Sequence, residues 1–144
     1  MSIDCLIRYA EETDLTALMS INPGQATDVL AFRIGRREFI VAEHRHCIVG
    51  YLRIDPVWNK VPFIGMIWLE PAYRRQGIGR DLLAFLESAM RDSGKRVLFS
   101  SSQTNEPGAQ AWHARMGFRT CGTLDDFNAP GIGEVFFRKE LGLP

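Results

Sequence analysis

Between residues 70 and 87 the chain reads EPAYRRQGIGRDLLAFLE, which sets a proline, three arginines and two glycines directly ahead of an apolar helical stretch. An apolar run ends at Leu69, so the order is strand, loop, helix start. The first amides of a helix have no intrahelical acceptor and carry partial positive charge from the helix dipole. Gly77 and Gly79 have no Cβ, so an anion can come close to the main chain there. Arg74, Arg75 and Arg80 add fixed charge and bidentate donors, a combination that suits a diphosphate better than a carboxylate. Taken singly, arginines before a helix are solvated and glycines permit turns; in this order, with a strand before and an amphipathic helix after, they read as a phosphate grip.

The elements that must hold this loop follow from periodicity. Ile3 to Tyr9 is a short strand candidate, and TDLTALMS supplies a threonine or aspartate cap with Leu15, Leu18 and Met19 at helical spacing. Pro23 suits the first turn of a second helix toward Ile34. EFIVAE and CIVGYLRID flank the polar HRH as a hairpin, and VPFIGMIWLE follows the loop PVWNK. After the loop, Ile78, Leu82, Leu86 and Ala89 share a helical face, Arg80, Asp81, Glu87 and Arg91 fall mainly elsewhere, and Gly94 ends the helix. RVLFSS is a strand, EPGAQAWHARM a helix, GFRTCGTL a strand, DDFNAPGIG a turn-rich loop and GEVFFRKEL a last strand. The predicted order is βααβββαβαββ.

With 144 residues, 46% of them hydrophobic and 24% charged, the chain is read as one globular domain over residues 1–144. Lysine plus arginine equals aspartate plus glutamate at 17 each, so no net field draws it to nucleic acid or an anionic membrane. The longest apolar runs fall short of the ~20 residues that span a bilayer, and Met1 to Leu6 shows no secretory pattern, which gives a cytoplasmic reading. Cys5, Cys47 and Cys121 are far apart and read as reduced packing residues. His44 and His46 have no partner set for a metal and read as a solvated hairpin turn, so no metal is expected.

Two familiar phosphate loops fail here. No lysine followed by serine or threonine comes after the glycines, as a P-loop requires, and Leu82 stands where a dinucleotide fingerprint needs its third glycine. RRQGIG instead resembles the acyl-CoA signature of GCN5-related N-acetyltransferases. IRYAEETDLTALM is similar to that family's first strand and helix, IWLEPAYRRQGIGRDLL to its CoA-binding strand, loop and helix, and AWHARMGF to its later helix ending in Gly-Phe. The resemblance covers nearly the whole chain. It implies an α/β (α+β) fold with a twisted, mostly antiparallel sheet of six to seven strands and about four helices.

The resemblance further implies acetyl-CoA as cofactor. The amides of Gln76, Gly77, Ile78, Gly79 and Arg80 would cradle its pyrophosphate beside Arg74 and Arg75, the backbone of Ile67, Trp68 and Leu69 would pair with the pantetheine arm, and Asn105 would touch that arm. A backbone N–H near Leu69 would meet the oxyanion. Many relatives carry a tyrosine four residues before Gly-Phe as the acid for the leaving thiolate, and here that residue is His113. The region matching a relative's glutamate base is VPFIGMI, without an acid; Glu43, Asp55 and Glu134 lie on or beside strands, and none is assigned as base. Placing an amine against the thioester carbonyl can itself supply ~7–11 kcal/mol.

The acceptor, a primary amine of a small molecule or peptide, should meet the loops SINPGQATDVL, DPVWNK and DDFNAPGIG, with Asp125 and Asp126 facing a cation and Trp58 as a flat wall. A non-catalytic acyl-CoA sensor stands as the alternative, since the family's tyrosine and base are both missing. Nucleic-acid binding through the arginines conflicts with the balanced charge. Edge strands near VFFRK leave monomer and homodimer both open.

Overall fold

In a computed structural model, which describes residues 3–142, the chain forms β1 (Leu6–Tyr9), a 3-10 turn (Glu12–Asp14), α1 (Leu15–Ile21), α2 (Thr27–Gly35), β2 (Phe39–His44), β3 (Cys47–Ile54) and β4 (Phe63–Leu69). A second 3-10 turn (Pro71–Tyr73) leads to α3 (Ile78–Asp92), β5 (Val97–Gln103), α4 (Pro107–Arg115), β6 (Arg119–Ala129) and β7 (Ile132–Glu140). This is the predicted order. The hydrogen-bonded strand order is β1-β2-β3-β4-β5-β7-β6. The β4–β5 pair is parallel, while β1–β2, β2–β3, β5–β7 and β6–β7 are antiparallel. Met1 and Ser2, at the head of the stretch read for a leader, lie outside the described residues. No helix among the described residues is long and apolar enough to cross a membrane.

The chain forms two compact units. The first comprises residues up to Ile54 together with Met66–Leu86. Its hairpin closes at Arg45 and His46, whose φ values of 49° and 65° are the left-handed pair that a two-residue turn between twisted strands requires. Leu18, Leu30, Ile34, Phe39, Val41 and Tyr51 form its core, with Trp68 packed against them. Asn22 ends α1 by donating from Nδ2 to the Leu18 carbonyl at 2.7 Å, and Gly24 at φ 92° reverses the chain. Pro23 therefore lies in this reversal and not in the first turn of α2, which starts at Thr27. Asp14 does not cap α1 with its side chain. It accepts from the Glu11 amide at 2.7 Å and forms a two-pronged pair with Arg8 at 2.7 and 3.0 Å, and Arg8 also reaches Glu43 at 2.8 Å.

The second unit comprises Asp55–Gly65 and the chain from Glu87 onward. On β5, Leu98, Ser100 and Ser102 are buried while Phe99, Ser101 and Gln103 are half-buried, and β7 repeats the alternation with Val135 and Phe137 against Glu134, Phe136 and Arg138. One face of this sheet is thus sealed and the other partly open. Glu87, expected on the polar side of α3, is buried and takes Lys139 Nζ at 2.6 Å. β6 runs on through Asp125–Ala129, so most of the expected turn-rich loop is strand, and the turn shrinks to Pro130 and Gly131. Its register against β7 shifts between Thr120 and Gly122 and again between Leu124 and Ala129. The cysteines do not pack as predicted: Cys47 and Cys121 are exposed and Cys5 is half-buried, all three free.

Candidate active site

The arginine and glycine loop is pinned at both ends. The Glu70 amide bonds Val49 O at 2.9 Å, and the 3-10 turn closes with Tyr73 N on Glu70 O at 2.8 Å. Arg74 Nε then reaches back to Leu69 O at 3.0 Å, and Gln76 Nε2 donates to Ala72 O at 3.0 Å. Arg75 and Gly77 take left-handed φ values of 62° and 87° on either side of Gln76, the backbone alternation from which anion-binding concavities are built. Asp81 N bonds Gly77 O at 3.0 Å, the first bond of α3. The amides of Ile78, Gly79 and Arg80 precede it and have no acceptor within the helix. Nothing lies within 4 Å of where a Cβ on Gly77 would project. The side chain of Ile78 is fully buried and fixes the helix start, while Arg75, Gly77 and Arg80 are exposed. First-turn amides without an intrahelical acceptor, beside the exposed guanidiniums of Arg75 and Arg80, are groups that could hold an anion. Arg74 departs from the expectation: part of its guanidinium tethers the end of β4.

Behind the loop, Ile67, Trp68 and Leu69 are half-buried. The Trp68 ring stacks on Tyr51 with centroids 6.0 Å apart. The Tyr51 hydroxyl donates to Asn22 Oδ1 at 2.9 Å, so strand β4 and the α1–α2 turn are joined through one buried chain of contacts. Gly50 sits where any Cβ would meet the Leu69 side chain and, at 2.9 Å, the Trp68 carbonyl oxygen. β4 can run beside β3 at this level only because residue 50 has no side chain. Sequence reasoning passed over Gly50, Tyr51 and Asn22. The signal for Gly50 was present, a lone glycine inside an otherwise β-branched and aromatic strand.

His113 is placed otherwise than an acid for a thiolate requires. It is 6% exposed, with Nε2 2.8 Å from Ser100 Oγ and Nδ1 2.7 Å from the Ala109 carbonyl. The carbonyl can only accept, so Nδ1 carries the proton and Nε2 accepts from the serine hydroxyl. Both ring nitrogens are spent inside the protein, and the ring lies flat on Phe137 at 4.3 Å. Burial pushes its pKa below the ordinary value, partly opposed by the Ala109 hydrogen bond, which keeps the imidazole neutral. The geometry makes His113 a pin between α4 and β5. Asn105 is exposed in the turn after β5, in the same unit as His113, whereas Ile67–Leu69 and Arg74–Arg80 belong to the other.

The candidate carboxylates are mostly engaged. Glu43 pairs with Arg8, and Asp126 Oδ1 accepts from the Gly131 amide at 2.7 Å, which closes the β6–β7 turn. Asp125 is exposed. Glu134 accepts from Ser101 Oγ at 2.6 Å and from Asn128 Nδ2 at 2.9 Å. Trp58 is 86% exposed at φ 55° in the β3–β4 loop. His44 Nδ1 lies 3.1 Å from the Asp4 carbonyl, and among the described residues no group of three or more His, Cys, Asp or Glu could hold a metal ion.

Comparison with known proteins converges on one group. The acetyltransferase (GNAT) family model matches residues 6–118. Aminoglycoside N(6')-acetyltransferase type 1 of Stenotrophomonas maltophilia is 33% identical over 86 residues, which cover 60% of this chain and 54% of that protein. Ribosomal-protein-alanine N-acetyltransferase from Brucella melitensis superposes with a TM-score of 0.81 at 25% identity, covering 94% of this chain and 99% of that one. A Salmonella typhimurium protein solved with its cofactor acetyl-CoA has the same fold, with a TM-score of 0.83, 18% identity, and 98% and 96% of the two chains covered. The chain spans between half and two thirds of the length of the curated relatives it matches.

Proposed function

The chain belongs to the GNAT acetyltransferase family, and from that premise we propose that it transfers the acetyl group of acetyl-CoA directly to a primary amine of a small molecule or peptide. The observation that carries this reading is the start of α3, where Arg75 and Gly77, both exposed and left-handed, lead into first-turn amides that have no acceptor within the helix. Acetyl-CoA supplies an acyl group already activated as a thioester. The amides of Gln76 to Arg80 would hold its diphosphate, with Arg75 and Arg80 adding charge. The backbone of Ile67–Leu69 would align the pantetheine arm as an added strand, with Asn105 as a further contact, and an amide near Leu69 would meet the oxyanion. On transfer a C–N bond would form as the C–S bond breaks; an acceptor arriving as ammonium would give one proton to water before attack and a second as the amide forms, and the thiolate would take one from water.

Positioning dominates because His113 has no ring N–H to spare and water must serve in its place. The same fact favours a second reading, a non-catalytic acyl-CoA sensor. Three free cysteines support a cytoplasmic setting. Mixing the protein with acetyl-CoA and a panel of amines, while monitoring free thiol, tests the proposal. Thiol release dependent on both amine and protein is expected; calorimetric binding of acetyl-CoA without release supports the sensor, and no binding at all removes both.

A further inference from the structure

The open face of the second unit carries more aromatic surface than a solvent-facing sheet needs. Phe63, Phe99 and Phe136 lie on its half-buried side, and Phe127 is 61% exposed beside them. Phe136 meets Phe63 at 6.0 Å and Phe127 at 6.4 Å between ring centroids. Ser101, small and half-buried, lies directly opposite Phe136 in the β5–β7 ladder. A contiguous apolar patch of this kind on a soluble domain marks a binding surface.

One charge is fixed within it. Glu134, two residues before Phe136 on β7 and on the same face, has one carboxylate oxygen on Ser101 Oγ and the other on Asn128 Nδ2. An ionised carboxylate offers about four lone-pair sites; two are used, and the two neutral donors leave the negative charge uncancelled. Arg138, the cation further along the same face, is turned to Phe99 and Glu140. The chemistry complementary to a braced carboxylate on the same strand face as an aromatic ring is a cation on an apolar stem.

We propose that Glu134, held by Ser101 and Asn128 and followed along the same face by Phe136 with Phe127 beside it, seats the acceptor as a primary ammonium borne on a short aromatic or aliphatic stem. This rests on the acetyltransferase reading for its purpose but not for its test. The selectivity falls to the carboxylate for charge and to the rings for the stem, and favours a monocation on an apolar stem over a dication that must desolvate two ammonium groups for one braced carboxylate.

The test is calorimetric titration of the full chain with 2-phenylethylammonium, its neutral counterpart 2-phenylethanol and the dication of 1,4-diaminobutane, alongside acetyl-CoA as a separate ligand. We expect the ammonium to bind at least tenfold more tightly than the alcohol and the dication. E134Q, which keeps shape and hydrogen bonding, should weaken it tenfold or more, and F136L should weaken it at least threefold. Acetyl-CoA affinity should stay within twofold in both variants, which also shows that they fold. No binding of the ammonium, equal binding of the alcohol, or an unchanged E134Q overturns the inference while leaving acetyl-CoA binding to speak for the enzyme. If acetyl-CoA fails to bind the unaltered chain, the enzymatic reading falls, and thermal unfolding then reports the folding of the variants. A peptide amino terminus that binds tenfold more tightly than 2-phenylethylammonium overturns the small-amine assignment.

Discussion

Replacing His113 by alanine separates a structural imidazole from a catalytic one. The substitution strands the Ser100 hydroxyl, takes a second hydrogen bond from the helical Ala109 carbonyl, removes a ring stacked at 4.3 Å on Phe137, and leaves a void under α4. The stranded hydroxyl costs ~1–3 kcal/mol and the lost stack ~0.5–1.5 kcal/mol, which together with the void fall in the ~3–5 kcal/mol range of aromatic-to-alanine changes in cores. For a domain of this size that lowers Tm by roughly 10–15 °C. At 15–20 °C, where the variant remains folded, kcat/KM per folded molecule should stay within about threefold, whereas losing a general acid would cost ~10²–10⁴. The pH dependence has a definite sign. The folded pKa is depressed, so the stabilisation is complete above the unfolded value near 6.5 and is lost as pH falls through the folded value, because the unfolded chain takes the proton first. Chemical denaturation between pH 7.5 and 5 should show this loss in the natural chain and a shallower slope in H113A. A variant with unchanged Tm and kcat/KM reduced 100-fold would refute the reasoning.

Other expectations follow from single residues. Gly77→Ala forces a Cβ onto a φ of 87°, at ~1–2 kcal/mol, so acetyl-CoA affinity measured by calorimetry should fall ~5- to 30-fold; unchanged affinity would exclude this loop as the phosphate grip. Gly50→Ala pushes a methyl to 2.9 Å from Trp68 O and should lower stability by ~1–3 kcal/mol along with acetyl-CoA affinity, whereas Gly108→Ala, in α4 with nothing within 4 Å, should raise stability by up to ~1 kcal/mol and leave that affinity unchanged. Asp14 is held below the usual carboxylate range first by the Arg8 hydrogen bond, against burial, and then by the Glu11 amide. Its stabilisation is present above pH ~4 and disappears as acid titrates the lowered folded value; Arg8→Met should remove ~1.5–3 kcal/mol at pH 7 and flatten the acid limb of the unfolding curve.

What the sequence revealed, and what it hid, divides by separation along the chain. The strand, loop and helix start at residues 63–92 were legible because strand end, arginines, glycines and amphipathic helix are consecutive, so local pattern alone places the first turn of α3. The element order followed from periodicity for the same reason. The bracing of the site was not legible, because Tyr51 meets Asn22 across 29 residues and Ser101 meets Glu134 across 33; only strand register brings them together. His113 was misread because its position in a motif says nothing about which partners its nitrogens find once α4 packs on β5. β6 was cut short because aspartate, asparagine and glycine at 125–133 signal a turn, whereas pairing with β7 carries the strand through an irregular register.

That irregular register bears on self-association. Every β6 residue from Arg119 to Asn128 is exposed, and an outermost strand of such length is a template on which further chains could stack into fibrils. The two shifts leave only Gly122–Leu124 as a straight run, followed at once by Asp125 and the left-handed Asp126. Three residues are too few to nucleate an intermolecular ladder, and two adjacent negative charges repel their own image in an approaching copy. The sheet is thereby guarded against runaway growth at the margin where it is most open to it.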